Sequence, residues 1–188
     1  KKLVGRLKEE RPSIYRTVVV DTVDTLFRLC RRHVCAKRGI EHVSDEGYGK
    51  AYDLLHDEFE QAMVGLTLLP YSTVFIAHSK EIEIRGRALR TSKIVPSTPR
   101  SAHSLVAALA DVLAFCGYEE GSADKGDKRR MMFFQPLETV EAKDRTGLLP
   151  TECELDYNTV RGFLLDGNAA SGPEPSVSVL RKKKKSVV

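Results

Sequence analysis

This sequence lacks most of the signatures that would settle a function quickly. No apolar run approaches the roughly 18 residues a membrane-spanning helix needs, and no signal peptide opens the chain, so no membrane partner is expected. Cysteine is scarce: Cys30, Cys35, Cys116 and Cys153 form neither a CxxC pair nor a zinc spacing. Cys30, His33 and Cys35 lie close together, but on a helix positions 30 and 35 stand about 140° apart and share no face. Buried free thiols in a reducing compartment are expected instead. There is no nucleophile elbow, no internal repeat, and no GxxxxGK[ST] phosphate-binding loop. The last absence excludes a triphosphate cradle built by these 188 residues alone.

What is present is ordinary for a globular domain: 41% hydrophobic and 30% charged residues, in a length that can bury a core. The net charge of +4 is unevenly placed. The run Arg181 to Lys185 holds five cations, and without it 25 basic residues face 26 acidic ones. Such a tail either attracts nucleic acid or an acidic surface, or is a solvated appendage. The first residue is Lys1 rather than Met, so the numbering is expected to begin inside a longer protein.

Thr17 to Val20 is a continuous β-branched run ending at Asp21, the pattern of a central strand buried on both faces. Residues 22–37 read as a helix with Val23, Leu26, Phe27, Cys30 and Val34 on one face and Gly39 as its stop. A glycine-bearing loop, 39–49, leads to a second helix over 48–66. Ser72 to Ala77 repeats the buried-strand pattern and ends at His78. Residues 79–100 are basic and weakly patterned, and are expected to form a flexible loop. A short helix is expected over 101–109 and a strand over 111–116. A polar loop follows at 121–127, then two mutually paired strands over 130–135 and 139–143. Asn158 to Leu165 reads as a short helix, and from Gly167 the composition reads as disorder. The order of elements predicts an α/β fold with a largely parallel sheet flanked by helices. In such sheets ligands bind at the carboxyl ends of the strands, where Asp21 and His78 stand.

Val18, Val19, Val20, Asp21 and Thr22 have the form of a Walker B strand, which holds a carboxylate rigidly where it can bind magnesium. The same residues also suit a helix cap by Asp21 or Thr22. Asp24 either joins this site or simply favours the helix dipole. His78 can hydrogen-bond a terminal phosphate, or be satisfied by local backbone. Lys80, Arg85, Arg87, Arg90, Lys93 and Arg100 outnumber Glu81 and Glu83 between residues 79 and 100, giving +4. They could track a phosphodiester backbone or form a solvated loop, and no aromatic lies among them for base stacking. Lys143 and Arg145, one residue apart on an extended segment, point the same way, either as a phosphate clamp or as part of a Lys–Asp–Arg turn.

Taken in order, these pieces resemble the RecA family, and more closely the phage-encoded RecA-like ATPases of the Sak single-strand-annealing group. The likeness is carried by Thr17–Leu26, Ser44–Lys50, Val74–Ser79 and Ala142–Pro150. It implies an incomplete RecA-like core over residues 1–150, a C-terminal extension over 151–166 and a disordered basic tail over 167–188. It implies ATP and Mg²⁺ as cofactors of the complete protein, with Asp21 the Walker B acid on the metal, Thr22 beside it and His78 the γ-phosphate sensor. By the same likeness, 39–49 and 79–100 are the first and second DNA-binding loops, the latter presenting Lys80, Arg85, Arg87, Arg90 and Lys93. Lys143 and Arg145 become cations that reach a neighbouring subunit's ATP site, which implies a ring or filament. The phosphate loop and a catalytic carboxylate would lie upstream. The implied function is an ATP-dependent protein acting on single-stranded DNA in phage recombination or annealing, in the cytoplasm of a bacterium or infected host. Two other readings stay open: a non-enzymatic nucleic-acid-binding module, and part of a hexameric helicase-like motor.

Overall fold

The computed structural model describes residues 2–9, 15–85, 90–118 and 129–166. Strands Thr17–Asp21 (β1) and Ser72–Ile76 (β2) pair in parallel, from Thr17 opposite Ser72 to Asp21 opposite Ile76. Parallel neighbours need a long crossover, supplied here by helices Val23–Arg38 (α2) and Lys50–Thr67 (α3). Helix α2 starts where the Thr22 hydroxyl accepts the Thr25 N–H at 3.4 Å. It stops at Gly39, whose φ of +66° is cheap only without a Cβ. The expected limits of both helices agree with those observed to within two residues at each end.

Two apolar clusters hold this crossover. Val34, Cys35, Val43, Ala51 and Leu55 join α2 to the start of α3. Val23, Phe59, Met63 and Ala102 join α2 and α3 to helix Arg100–Leu109 (α4), with Val20 of β1 and Phe75 of β2 packed against them. Phe27 meets Phe59 edge-to-face at 5.1 Å. Glu58, buried on α3, is paired with Lys37 at 2.9 Å, which offsets the cost of removing its carboxylate from water.

The two strands are not buried on both faces, contrary to expectation. Val18, Val20, Thr73 and Phe75 are half-buried against the helices, while Thr17, Val19, Asp21, Ser72, Val74 and Ile76 are exposed; Val19 is 55% exposed. Among the described residues nothing covers that second face, and a β-branched run cannot say how many layers will cover it.

The sheet is also not largely parallel. Where a flexible loop is expected, Ser79–Arg85 (β3) and Arg90–Pro96 (β4) form an antiparallel pair, and residues 86–89 between them lie outside the described residues. Ile82 and Ile84 alternate with Glu81 and Glu83 at the strand period of two, opposite a segment holding Thr91, Ile94 and Val95. The strand expected over 111–116 breaks at Ala114 into Val112–Leu113 (β5) and Phe115–Tyr118 (β6), which enter different sheets. Strand β6 pairs with Arg130–Phe133 (β7), and β5 with Lys143–Asp144 (β8), all antiparallel. The two strands expected to pair with each other over 130–143 therefore do not. Instead β7 takes Glu152–Glu154 (β9) as its second neighbour, and Val140 bridges to Ile94.

Two helices flank these sheets in sequence. Lys2–Glu9 (α1), unforeseen, accepts a hydrogen bond at its Leu7 carbonyl from the Tyr71 hydroxyl at 3.4 Å. Tyr157–Asp166 (α5) extends the expected 158–165 helix by one residue at each end, and Asp156 accepts the Thr159 N–H at 2.8 Å at its start. The thiols are free as expected, but only Cys35 is buried, and Cys116 is exposed. Among the described residues no helix is long and apolar enough to cross a membrane. The expected polar loop over 121–127 and the basic tail over 167–188 lie outside the described residues.

Candidate functional site

The carboxyl ends of β1 and β2 bring the two strand-tip residues to the same edge of the parallel pair. Asp21 is the last residue of β1, and His78 follows β2 by two residues. The Asp21 side chain is exposed and makes no hydrogen bond among the described residues, and the Asp21–Thr22 peptide is cis. The Thr22 hydroxyl is engaged at the helix start, accepting from the Thr25 N–H and donating to the Thr25 hydroxyl at 3.1 Å. The cap reading of Thr22 is therefore the one its geometry supports.

Asp24, in the first turn of α2, is the residue that sequence reasoning undervalued. It accepts the His78 backbone N–H at 3.4 Å and lies 3.0 Å from His78 Nδ1, tying the start of α2 to the end of β2. Burial opposes ionisation of Asp24, but hydrogen bonds from the His78 ring and the His78 N–H outweigh it and hold the carboxyl below its ordinary range. No local pattern signals a partner 54 residues away.

These residues fit part of a magnesium–nucleotide site. Asp21 is a free hard oxygen ligand at a strand tip, which suits magnesium. The start of α2 does not suit a phosphate: Thr22 already takes the Thr25 N–H, and the Asp24 carboxylate would repel an anion. With no phosphate-binding loop in the sequence either, the described residues offer a metal ligand and a terminal contact, not a triphosphate cradle.

Lys143 and Arg145 do point the same way, as alternation requires, but at this chain's own helix end. Lys143 Nζ donates to the Ala107 carbonyl, and Arg145 Nη2 to the Ala108 carbonyl at 2.8 Å, both in the last turn of α4. Arg145 also lies 3.5 Å from Asp111. Burial, with the Arg145 charge adding to it against the pull of Asp111, lowers the Lys143 pKa. Between them Asp144 organises a turn, accepting the Thr146 N–H at 2.8 Å and the Leu149 N–H at 3.0 Å. The geometry observed is thus the Lys–Asp–Arg turn, with two cations on a helix C-terminus where the macrodipole favours them.

The cations of 79–100 whose side chains are described are Lys80, Lys93 and Arg100. Lys80 and Lys93 stand on the hairpin face shared with Ile82, and Glu81 and Glu83 occupy the other. Lys80 Nζ donates to the Thr98 carbonyl at 3.2 Å, and Lys93 is half-buried. Arg85 pairs with Arg90 in the backbone register; their side chains and all of Arg87 lie outside what is described. The 39–49 segment is two tight 3₁₀ turns anchored by buried Val43, with Arg38 bound to Glu46. It carries Glu41, Asp45 and Glu46 and no Lys or Arg, so it offers phosphate no cation. Its tip, Tyr48, is fully exposed and holds a φ of +60°.

No curated protein and no solved structure matches the chain. A family model described as an AAA domain matches residues 1–146. That match takes in both parallel strands, their helical crossover, the hairpin and the Lys143–Arg145 turn, so the chain belongs to the AAA domain family, a family of P-loop NTPases.

Proposed function

We propose that this chain supplies the metal-ligand and sensor half of an ATP site in a RecA-like protein acting on single-stranded DNA, in phage recombination or annealing. The carrying observation is the placement of Asp21 and His78 at the carboxyl ends of adjacent parallel strands. In this reading Asp21 holds magnesium, the hydroxyl of Thr22 sets the helix start beside it, and His78 contacts the terminal phosphate. ATP and Mg²⁺ are the cofactors, as is general for AAA-type ATPases. The phosphate cradle comes from outside the 188 residues. A ring or filament is proposed as the working state, in which Lys143 and Arg145 would have to leave α4 to reach a neighbour.

The test measures binding of a fluorescent ATP analogue with and without magnesium, to this chain and to its Asp21→Ala variant. Magnesium-dependent binding that the substitution removes supports the reading; binding indifferent to both refutes it. DNA binding is read by anisotropy of a labelled single strand over a salt series. If Lys93 contacts a phosphate, Lys93→Ala flattens the log–log slope by about 0.7. A second reading, a non-enzymatic nucleic-acid-binding module, is favoured by one observation: the start of α2 is capped and acidic, not open to phosphate. It predicts DNA binding unaffected by nucleotide.

A further inference from the structure

Asp24 and His78 are brought together by the fold from positions 54 apart, through two separate hydrogen bonds. The backbone bond fixes where the chain leaves β2, and the ring bond fixes the imidazole. The carboxylate is 23% exposed and the imidazole 71%, so the contact has a sheltered anchor and an open ring. An ionised carboxylate only accepts hydrogen bonds. Nδ1 must therefore be the donor, and Nε2 is left as the outward nitrogen, with no partner among the described residues. A ring nitrogen's hydrogen bond decides what the other nitrogen offers.

His78 is also tied to the hairpin. Its carbonyl accepts the Ser97 N–H at 2.6 Å, and Ser79 beside it opens β3 opposite Pro96. The backbone of His78 is thus held from α2 on one side and from the hairpin base on the other. A ring whose backbone and Nδ1 are both fixed loses little freedom when Nε2 engages a ligand, which is the benefit of preorganisation.

We propose that Asp24 is a positioning residue, which orients the His78 imidazole and fixes its tautomer so that Nε2 faces a ligand at the carboxyl ends of β1 and β2. In the neutral ring Nε2 is then an acceptor, and it donates to a phosphate only from the protonated ring; the identity of that ligand as a nucleotide's terminal phosphate rests on the function proposed above, and the orienting role does not.

The full chain, labelled with ¹⁵N, is compared with Asp24→Ala and Asp24→Asn by long-range ¹H–¹⁵N spectra of His78, at a pH where the ring is neutral. The expected result is a proton on Nδ1 in the unsubstituted chain. Asp24→Asn retains it, because the amide oxygen still accepts, and Asp24→Ala returns the ring to the Nε2–H form that a free histidine side chain prefers. If the alanine variant does not fold, Asp24→Ser, suited to a helix's first turn but too short to span the contact, replaces it. The same tautomer mixture in all variants overturns the proposal, since a merely structural Asp24 would leave the ring unchanged. The magnesium complex of a fluorescent ATP analogue is then titrated into each protein at a pH where the ring is protonated and Nε2–H can donate to phosphate. Asp24→Ala should bind about tenfold more weakly than Asp24→Asn, the effect of one charge-assisted hydrogen bond, because both variants lose the carboxylate's repulsion and only Asn still orients the ring. If the unsubstituted chain binds no analogue, the nucleotide reading falls, and the ring spectra alone decide the role of Asp24.

Discussion

Replacing Lys143 by Met separates the two roles open to that residue. The substitution keeps most of the aliphatic stem and removes the charged donor from the Ala107 carbonyl. A hydrogen bond from a charged donor contributes about 1.5–3 kcal/mol, and a cation at an exposed helix C-terminus about 0.3–1 kcal/mol. Lys143 is half-buried, so a loss of about 2 kcal/mol is expected. Arg145 is 54% exposed, and solvent screening brings Arg145→Met down to about 1 kcal/mol or less. At about 2–4 °C per kcal/mol for a chain of this size, Tm falls by about 4–8 °C for Lys143→Met and by half that for Arg145→Met. The two cations also repel each other. Each single substitution relieves that repulsion, whereas the double substitution relieves it only once. The double variant should therefore lose more than the sum of the singles, by a few tenths of a kcal/mol, on the order of a weak surface pair. Urea unfolding followed by circular dichroism reads all three. Unchanged midpoints in both single variants would refute the capping role and return both side chains to the solvent, free for a neighbouring subunit.

Acid should weaken the fold at two of its polar joints. Asp24 and Asp144 both have folded-state pKa values below the ordinary range, in each case because hydrogen bonds to the carboxylate outweigh burial. Their stabilisation is therefore complete above the unfolded value of about 4 and is lost as pH falls through the lower folded values; Asp144→Ala should flatten the acid limb of a pH–stability profile. Phe59→Ala should cost about 3–5 kcal/mol, because the ring is fully buried where α2, α3 and α4 meet, and chemical denaturation would show it. Gly39→Ala forces a Cβ into a left-handed turn with open space around it, so backbone strain alone, about 1–2 kcal/mol, should appear as a lower unfolding midpoint. Thr22→Ala should cost about 1 kcal/mol through loss of the α2 cap, seen as a lower Tm.

The parts of the fold that sequence made legible are those with short-range causes. Thr22 and Gly39 bracket α2 because a hydroxyl cap and a left-handed stop are properties of single residues. The burial of Leu55, Phe59 and Met63 follows from helical spacing. The strand β1 was legible as a strand, but not the exposure of Val19, because coverage depends on segments elsewhere in the chain. The hairpin was hidden by its charges: six cations between 79 and 100 suggested a solvated loop, while the alternation of Ile82 and Ile84 with two glutamates carried the strand signal. The exchange of partners among β5, β6, β7, β8 and β9 has no local cause at all, since two- to four-residue strands pair with whatever the tertiary fold brings alongside. The strand-tip site divides the same way. Asp21 and His78 were marked by position, but the bond from Asp24 to His78 exists only once α2 and β2 are assembled.

The same division changes what the positive charge means. The sequence offers its cations as a population available to an anionic partner, yet many are committed within the fold. Lys37 holds buried Glu58 and Arg38 holds Glu46, while Lys80, Lys143 and Arg145 each cover a backbone carbonyl. A cation that already satisfies a carbonyl can bind phosphate only by giving that bond up, so its contribution to affinity is the difference between two interactions and not the whole of one. Among the candidate DNA contacts with described side chains this leaves Lys93 as the one without such a commitment, on a face it shares with Ile82. The net charge of +4 comes from the Arg181–Lys185 run, without which acidic residues outnumber basic ones by one, so it overstates the folded body's attraction for nucleic acid. The number of phosphates contacted, read from a salt slope, should track the uncommitted cations and not the total.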